Sequence, residues 1–451
     1  MKYLSKSVYG FAHHLLIMSL VALLVVGSAG YYVWGQQHVQ DALAQTGQTD
    51  GNAGEFNPVS PYRLLDTRDG TGGTNGAIPA YGEISLKVTD RGVIPSSNQV
   101  SAGFFNFTVV SPKAKGYLTA YPAGSARPEV SIINFVSNEN RANTATLKLG
   151  SNGEITIYNG SSSTIHLISD IMGYYSSVNG PDGMRLNQSN SYTRVLDTRT
   201  GTGAPKARIN AHSSIKVPLT SMNGYDSAAA VYGTLTAVNP SAIGYLTIYP
   251  SDEEQPLASI INFYPSKNVA NSTIVGLGAN KEITIYNGSS GTVDVIFDAK
   301  GYFAKFNYSG GDVNFSNSGR FIPIDPIRIV DTRKGFGLGG SLGYAGFLKR
   351  AQADFNVGGI GDIPNDYLLS LSANVAIVNP NKKGWAEFSP GLGETSSINY
   401  EVNQNVAASI IMKADRYSAQ KTSRITLPPS DSAFKTDLIV DVYGYYLAGQ
   451  Q

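Results

Sequence analysis

The chain has 451 residues, a formal net charge of +1, 15% charged residues and no cysteine. A near-zero charge without a lysine- or arginine-rich run excludes strong electrostatic attraction to nucleic acid or an anionic membrane surface. The lack of cysteine excludes disulfides, thiolate metal sites, a cysteine nucleophile and a lipid-modified cysteine anchor.

The first 35 residues differ in kind from the rest. Leu15 to Trp34 is a 20-residue run without a charge, preceded by Lys2 and Lys6, and about 20 apolar residues suffice to cross a bilayer as a helix. No Lys or Arg follows until Arg63, so the positive-inside bias places the N-terminus in the cytoplasm and the remainder outside. A cleaved signal peptide, with Gly27–Ala29 or Ala42–Ala44 as its site, is one reading. The length of the run and the interfacial aromatics Tyr31, Tyr32 and Trp34 favour an uncleaved signal anchor. Residues 36–60 form a Gly/Gln/Asn-rich spacer, expected to be a flexible stalk.

From there the chain repeats itself. Arg63-Leu-Leu-Asp66-Thr67-Arg68 followed by Gly70 and Gly72 returns as Arg194-Val-Leu-Asp197-Thr198-Arg199 with Gly201 and Gly203. It returns again as Arg328-Ile-Val-Asp331-Thr332-Arg333 with Gly335 and Gly337. Asp66, Asp197 and Asp331 stand 131 and 134 residues apart, a domain-sized period well above the solenoid range. The expectation is three separate domains, each closing its own core: repeat 1 over 61–175, repeat 2 over 192–303 and repeat 3 over 326–447. Residues 176–191 and 304–325 read as loop-like linkers that permit interdomain motion.

Within repeat 1, Glu83–Val88, Ala102–Val110, Gly116–Pro122, Ser131–Phe135 and Ala142–Leu149 read as strands by alternation and by their flanking Gly and Pro. Gly153–Tyr158 and Thr164–Asp170 flank Asn159-Gly160, which reads as a hairpin turn with positive φ. Asp170-Ile-Met-Gly173-Tyr174-Tyr175 closes the unit. Repeat 2 copies this nearly word for word, with Gly244–Pro250, Ser259–Phe263, Asn287-Gly288 and Asp298–Phe303. Repeat 3 has drifted: Trp385 stands in the Gly-Tyr strand, Ala408 replaces an asparagine, and Pro428-Pro429 lies near the hairpin position. About eight short strands per repeat, without a helical period, predict an all-β chain of three tandem β-sandwich or jelly-roll-like domains after an N-terminal transmembrane helix.

The Leu-Asp-Thr-Arg-x-Gly-x-Gly opening and the Asp-Val-x-Gly-Tyr-Tyr ending resemble a tandem repeat of secreted and cell-surface bacterial proteins, notably of actinobacteria and candidate-phylum lineages. The resemblance spans all three repeats. It implies an exported β-domain appended to cell-wall or surface proteins, and it carries over no catalytic residues.

The sharpest constellation is Arg63, Asp66 and Arg68, with Arg194, Asp197 and Arg199 and with Arg328, Asp331 and Arg333. An Arg–carboxylate pair under a Gly-rich loop fixes that loop; the functional alternative is a sugar site beside an aromatic such as Tyr174. The Gly-x-Gly element lacks both the Gly-Lys-Ser/Thr ending and a following helix, so it is no phosphate loop. Asn134, Asn262 and Asn399, and Asn143 and Asn271, read as buried amides that bond loop backbone. No Asp-x-Asp-x-Asp-Gly loop supports calcium. Asp170, Asp298 and Asp441, paired with Asp66 and its counterparts, would make a two-carboxylate hydrolase only in an open cleft. Only His166 and His212 lie in the repeats, so a histidine in every site is excluded. No cofactor or metal is expected.

The chain is accordingly expected to be a non-enzymatic, single-pass membrane protein facing outward. Its expected partner is surface polysaccharide or another cell's envelope, with no nucleic acid. The third repeat, with Trp385, Tyr445, the Gly335–Gly340 loop and the Pro428 loop, is the expected binding head. A structural surface-layer component and a polysaccharide hydrolase are the alternatives.

Overall fold

The computed structural model describes residues 54–177, 183–222, 224–305, 318–337, 352–388, 395–415, 421–427 and 435–448. The expected signal anchor and most of the expected stalk lie outside them. Among the described residues no helix is long and apolar enough to cross a membrane.

The chain is all-β. Repeat 1 contributes β1 (Phe56–Asp66), β2 (Glu83–Lys87), β3 (Val100–Val110), β4 (Gly116–Pro122), β5 (Ile133–Phe135), β6 (Arg141–Lys148), β7 (Glu154–Asn159) and β8 (His166–Ser176). Repeat 2 contributes β9 (Met184–Asp197), β10 (Ser213–Pro218), β11 (Ala230–Val238), β12 (Gly244–Pro250), β13 (Ile261–Phe263), β14 (Val269–Gly276), β15 (Glu282–Asn287) and β16 (Asp294–Lys305). Repeat 3 contributes β17 (Ser318–Asp331), β18 (Gln352–Asn356), β19 (Leu368–Val378), β20 (Gly384–Phe388), β21 (Ile398–Tyr400), β22 (Val406–Lys413), β23 (Thr422–Thr426) and β24 (Asp437–Ala448), with a 3-10 turn at Thr332–Lys334.

Each repeat folds into two four-stranded antiparallel layers, and the layers that contain β1, β9 and β17 join into one 12-stranded sheet. In repeat 1 these run β1-β8-β3-β6 and β2-β7-β4-β5, and repeats 2 and 3 follow the same order. First strand pairs with last, second with seventh, third with sixth and fourth with fifth, which is the nested hairpin wrapping of a jelly roll. Alternation explains the core. Leu118, Ala120, Ile155 and Ile157 of one sheet and Phe105, Phe107, Ala145 and Leu147 of the other point into one buried cluster.

The Asn159-Gly160 segment is not a hairpin. β7 pairs with β2 and β4, whereas β8 pairs with β1 and β3, so the segment crosses between sheets. Neither residue has positive φ. The buried Asn159 amide staples the crossover instead. It donates to the carbonyls of Pro79 and Ser163, both at 2.8 Å, and accepts from the Ser161 hydroxyl at 2.8 Å. Asn287 repeats the arrangement on Asn210, Gly291 and Ser289.

The expected linkers are not loops throughout. β1 begins inside the expected stalk, and β9 and β17 begin inside the expected linkers. The first half of β9 is polar and those of β1 and β17 carry prolines, and in these last two the ladder breaks at bulges. The β1–β8 register shifts between Pro58 and Tyr62, and the β17–β24 register between Pro323 and Ile327. Prolines, lacking a donor, sit in a strand only at such places.

These first halves bring the repeats together. Residues 48–451 form one compact unit. β1 meets β9 at Phe56↔Met184, β17 meets β9 at Gly319↔Leu186, and the Phe321 amide donates to the Gly54 carbonyl at 2.8 Å. The edge strands β6, β14 and β22 touch one another. One hydrophobic cluster contains Phe56 and Tyr175 of repeat 1, Leu186 and Phe303 of repeat 2, and Phe321 and Tyr446 of repeat 3. Repeat 1 keeps a separate buried cluster between its two sheets, and beside it the three repeats share this one, so the chain is a ring of joined units.

The ring closes head to tail. Repeat 1 reaches repeat 2 through Asn106, whose amide donates to the Ser259 carbonyl at 2.5 Å. Repeat 2 reaches repeat 3 through Lys300, whose ammonium lies 2.7 Å from the Ser397 hydroxyl. Repeat 3 reaches repeat 1 through Asn374, whose amide donates to the Ser131 carbonyl at 2.5 Å. Ser131 and Ser259 hold the same place in repeats 1 and 2, while Ser397 stands where those repeats have Ile132 and Ile260. Heterologous contacts that run from each repeat to the next and close have the geometry of a cyclic trimer, here built from one chain.

Candidate functional site

The Asp-Thr-Arg loops come first, because the sequence singles them out. Asp66 is 2% exposed. It accepts from the Arg68 amide at 3.1 Å, from Arg68 Nε and Nη2 at 2.8 and 2.6 Å, and from Arg63 Nη1 at 3.2 Å. Asp197 and Asp331 repeat the bidentate pair with Arg199 and Arg333. The other arginine reaches across to the closing strand: Arg63 binds Asp170, Arg194 binds Asp298 at 2.9 and 3.2 Å, and Arg328 binds Asp441 at 2.7 and 3.0 Å. The second glycine completes the loop. Gly72, Gly203 and Gly337 all have positive φ, and a Cβ there would meet the carbonyl oxygens of Leu64, Val195 and Ile329 at 2.3, 1.9 and 2.0 Å.

Arginine holds Asp66 and Asp197 below the usual carboxylate range, through side-chain bonds from Arg68 and Arg199 that outweigh burial. For Asp331 burial pushes upward, but Arg333 and Arg328 together hold it below that range as well. Burial, the largest influence, pushes Asp170, Asp298 and Asp441 up despite their arginines. A pair of carboxylates driven apart in this way is the signature of an acid/base couple, yet here all six are buried and tied to arginine. The constellation is a clamp that joins the first strand of each repeat to its last. Its pH dependence follows in sign. A depressed folded pKa gives stability above the unfolded value near 3.9, lost as pH falls through the folded value. The triple variant Asp66→Asn, Asp197→Asn, Asp331→Asn is therefore expected to melt below wild type at pH 7. The deficit should be about 1–3 kcal/mol per loop, closing as the pH drops toward 2; calorimetric melts across that range check it.

The two remaining motif families meet on the β2-β7-β4-β5 sheet of repeat 1 and its counterparts, the outer sheets. In the β4–β5 ladder Tyr117 stands directly opposite Asn134, in β12–β13 Tyr245 opposite Asn262, and in β20–β21 Trp385 opposite Asn399. Directly opposed residues of an antiparallel pair share a face, so each repeat presents an aromatic ring beside an amide. Tyr117 is 41% exposed; Tyr245, Trp385 and the three asparagines are half-buried. The rings are seated. A Cβ on Gly160 would meet the Tyr117 ring at 2.4 Å, and one on Gly288 the Tyr245 ring at 2.2 Å. Tyr158 and Tyr286 brace them at centroid distances of 6.2 and 6.3 Å. Burial above all raises the Tyr117 and Tyr245 hydroxyls above their ordinary value, which keeps both as neutral donors at physiological pH.

The other candidates separate by burial. Tyr445 is 1% exposed and offers no ring face to a ligand, which removes it from the expected binding head. Asn143 and Asn271 are buried and donate to the carbonyls of Ile132 and Ile260 at 2.6 and 2.8 Å, so they bond backbone as the sequence predicts. Residues 338–340 and 428–434 of the expected head lie outside the described residues. Among the described residues no cluster of His, Asp and Glu has the form of a metal site.

A third feature escaped the sequence. Where the β5–β6 loop of repeat 1 and its counterparts converge, a narrow cleft with room for little more than one water takes its lining from all three repeats. Arg141, Asn262, Tyr264, Lys267, Asn399 and Glu401 are among the residues around it. They lie in or beside β6, β13 and β21, more than a hundred residues apart, and only ring closure gathers them.

No family model and no curated protein matches the chain. Among solved structures, one of Sulfolobus turreted icosahedral virus is 9% identical, covering 88% of this chain and 92% of its own, with a TM-score of 0.18. A structure described as the triple jelly roll fold and turret assembly in an archaeal virus is 10% identical, covering 88% and 90%, with a TM-score of 0.17. The tandem CBM22-1–CBM22-2 domain of Paenibacillus barcinonensis Xyn10C is 9% identical, covering 57% and 100%, with a TM-score of 0.18. At such scores the jelly-roll assignment rests on this chain's own strand order.

Proposed function

We propose that the chain is a non-enzymatic, cell-surface glycan-binding protein, tethered by its N-terminal segment and engaging polysaccharide through three equivalent sites. The observation that carries this reading is the recurrence of one exposed or half-exposed aromatic ring paired with one asparagine: Tyr117 with Asn134, Tyr245 with Asn262, and Trp385 with Asn399. An aromatic ring is amphipathic and rigid, so it covers the apolar C–H face of a sugar at small entropic cost. A neighbouring amide supplies a donor and an acceptor for vicinal hydroxyls. Three such pairs on one rigid ring give avidity toward a repeating polymer without any single strong site. A hydrolase is disfavoured, because the conspicuous aspartates are buried and held by arginine.

Binding of the full chain to arrays of polysaccharides tests the proposal. The triple variant Tyr117→Ala, Tyr245→Ala, Trp385→Ala is expected to lose about 100-fold in apparent affinity, with each single change costing much less. Equal binding by the triple variant and wild type would remove the platforms from the function.

A further inference from the structure

At one edge of each outer sheet stand β2, β10 and β18, which among the described residues pair only with β7, β15 and β23. The ladder bonds fix which residues of these strands face the open side. The Asn159 amide donates to the Gly82 carbonyl and the Val88 amide to that of Gly153, so in the β2–β7 register Gly82, Ile84, Leu86 and Val88 commit their backbone groups to β7. Hydrogen-bonded and non-hydrogen-bonded pairs alternate along an antiparallel ladder. The N–H and C=O of Glu83, Ser85 and Lys87 therefore point away from β7, and the Lys87 carbonyl accepts instead from the Arg91 guanidinium at 3.3 Å. In repeats 2 and 3 the Leu219 and Val357 amides donate to the Lys281 and Lys421 carbonyls. The same alternation turns Ser214, Lys216 and Pro218 of repeat 2, and Gln352, Asp354 and Asn356 of repeat 3, to the open side.

An open edge is a template for another strand, and proteins block it with charge or proline. Repeat 2 obeys that rule. A second β10 laid antiparallel about the middle of this edge would set Lys216 against Lys216, and Pro218 has no N–H to give. In repeat 3 Asp354 would meet Asp354, each already held by its own Arg424. Repeat 1 has neither guard, and its edge Glu83-Ile-Ser85-Leu-Lys87 is self-complementary. About Ser85, Glu83 of each copy falls opposite Lys87 of the other and Ile84 opposite Leu86. Opposite charges across a strand pair attract. We propose that β2 is a self-association edge, at which two copies of the chain pair antiparallel about Ser85 and join their repeat 1 outer sheets. Glu83 accepts from Tyr121 and Arg127 at 2.8 and 3.1 Å, and Lys87 donates to the Asn152 carbonyl at 2.6 Å beside Asp90. The two side chains stay 40% and 39% exposed, so a second charge joins these contacts without being buried. The interface is isologous and closes on itself, and it stands apart from the glycan-binding reading.

Sedimentation equilibrium of the full chain is the test. Five residues make a small interface, so a monomer–dimer equilibrium with a dissociation constant on the order of 10 μM is expected. Glu83→Lys and Lys87→Glu each turn both cross-strand attractions into repulsions and should weaken the dimer at least about tenfold. Mixed in equal amounts, the two variants should associate again, because each supplies the charge the other needs. Ser85→Lys, which installs the guard of repeat 2 at an exposed position, should abolish the dimer while the melting temperature holds. In the wild type, hydrogen exchange at the Glu83, Ser85 and Lys87 amides should slow as the concentration rises. A chain still monomeric at about 200 μM, well above the expected constant, overturns the proposal. So does a dimer indifferent to Ser85→Lys, as one formed through the apolar N-terminal run would be, or a mixture no better associated than its two variants alone.

Discussion

A chain ending at Lys305, without repeat three, is expected to lose cooperative folding altogether instead of surviving as a shortened array. Phe56, Tyr175 and Phe303 are fully buried, and Phe321 and Tyr446 of repeat three cover them. Ring centroids lie 4.4 Å apart for Tyr175 and Phe321, and 6.4 Å apart for Phe303 and Tyr446. The Tyr175 and Tyr446 hydroxyls meet at 2.5 Å. Uncovering three large side chains forfeits about 1.5–3 kcal/mol each, on the order of the whole stability of a typical domain. Asn143 loses two further partners, the Asn374 amide oxygen at 3.0 Å and the Ser409 amide at 3.1 Å. An opened ring also presents two complementary heterologous faces, the condition for open-ended association. Calorimetry and sedimentation read both consequences: one cooperative transition for the full chain, and aggregation or no transition for the truncated one. A monomeric truncated protein melting near the full chain would mean that the repeats are independent after all.

What the sequence discloses, and what it hides, divides along the range of the interactions. The clamp is legible because Arg63, Asp66, Arg68 and Gly72 act within ten residues and return three times. The strands are legible because Leu118, Ala120 and their partners alternate. The hairpin expected at Asn159-Gly160 fails because a turn residue reads the same whether the chain reverses within one sheet or crosses to the other; the buried Asn159 amide makes the crossing possible. Tyr445 and Tyr446 are adjacent in β24, so alternation alone would turn one into the repeat's core and the other out of it. Outward in the inner sheet, however, means toward a neighbouring repeat, so Tyr446 is as buried as Tyr445. Ring closure itself leaves no local trace. Met172, Lys300 and Tyr443 look like ordinary strand residues until the ring places them against another repeat, and Arg141 looks like a strand terminus until three loops gather around it.

One chain folded as a trimer also gains a freedom that three identical subunits lack, because each interface can be different. The residue two places after the closing aspartate is Met172 in repeat 1, Lys300 in repeat 2 and Tyr443 in repeat 3, and all three are buried. The position aligned with Glu387 is Thr119 in repeat 1 and Thr247 in repeat 2, whose hydroxyls donate to Val130 and Ala258 carbonyls within their own repeats. Only between repeats 2 and 3 does the pair become ionic. Lys300 Nζ lies 3.0 and 3.1 Å from the two Glu387 oxygens, and Glu387 also accepts from Thr395, Ser397 and the Phe388 amide. Lys300 further lies 4.8 Å from the centre of the Tyr192 ring. A buried, fully bonded pair adds little net stability over apolar packing but is costly to break, because one charge is then stranded. Lys300→Met or Glu387→Thr alone is expected to cost about 3–5 kcal/mol. The double variant, which reproduces the chemistry of the repeat 1–repeat 2 interface, should recover most of that loss. Denaturant melts of the four proteins form a double-mutant cycle. A coupling energy near zero would leave the pair with no part in the ring, whereas a large one identifies it as the contact that sets repeat 3, and no other repeat, after repeat 2.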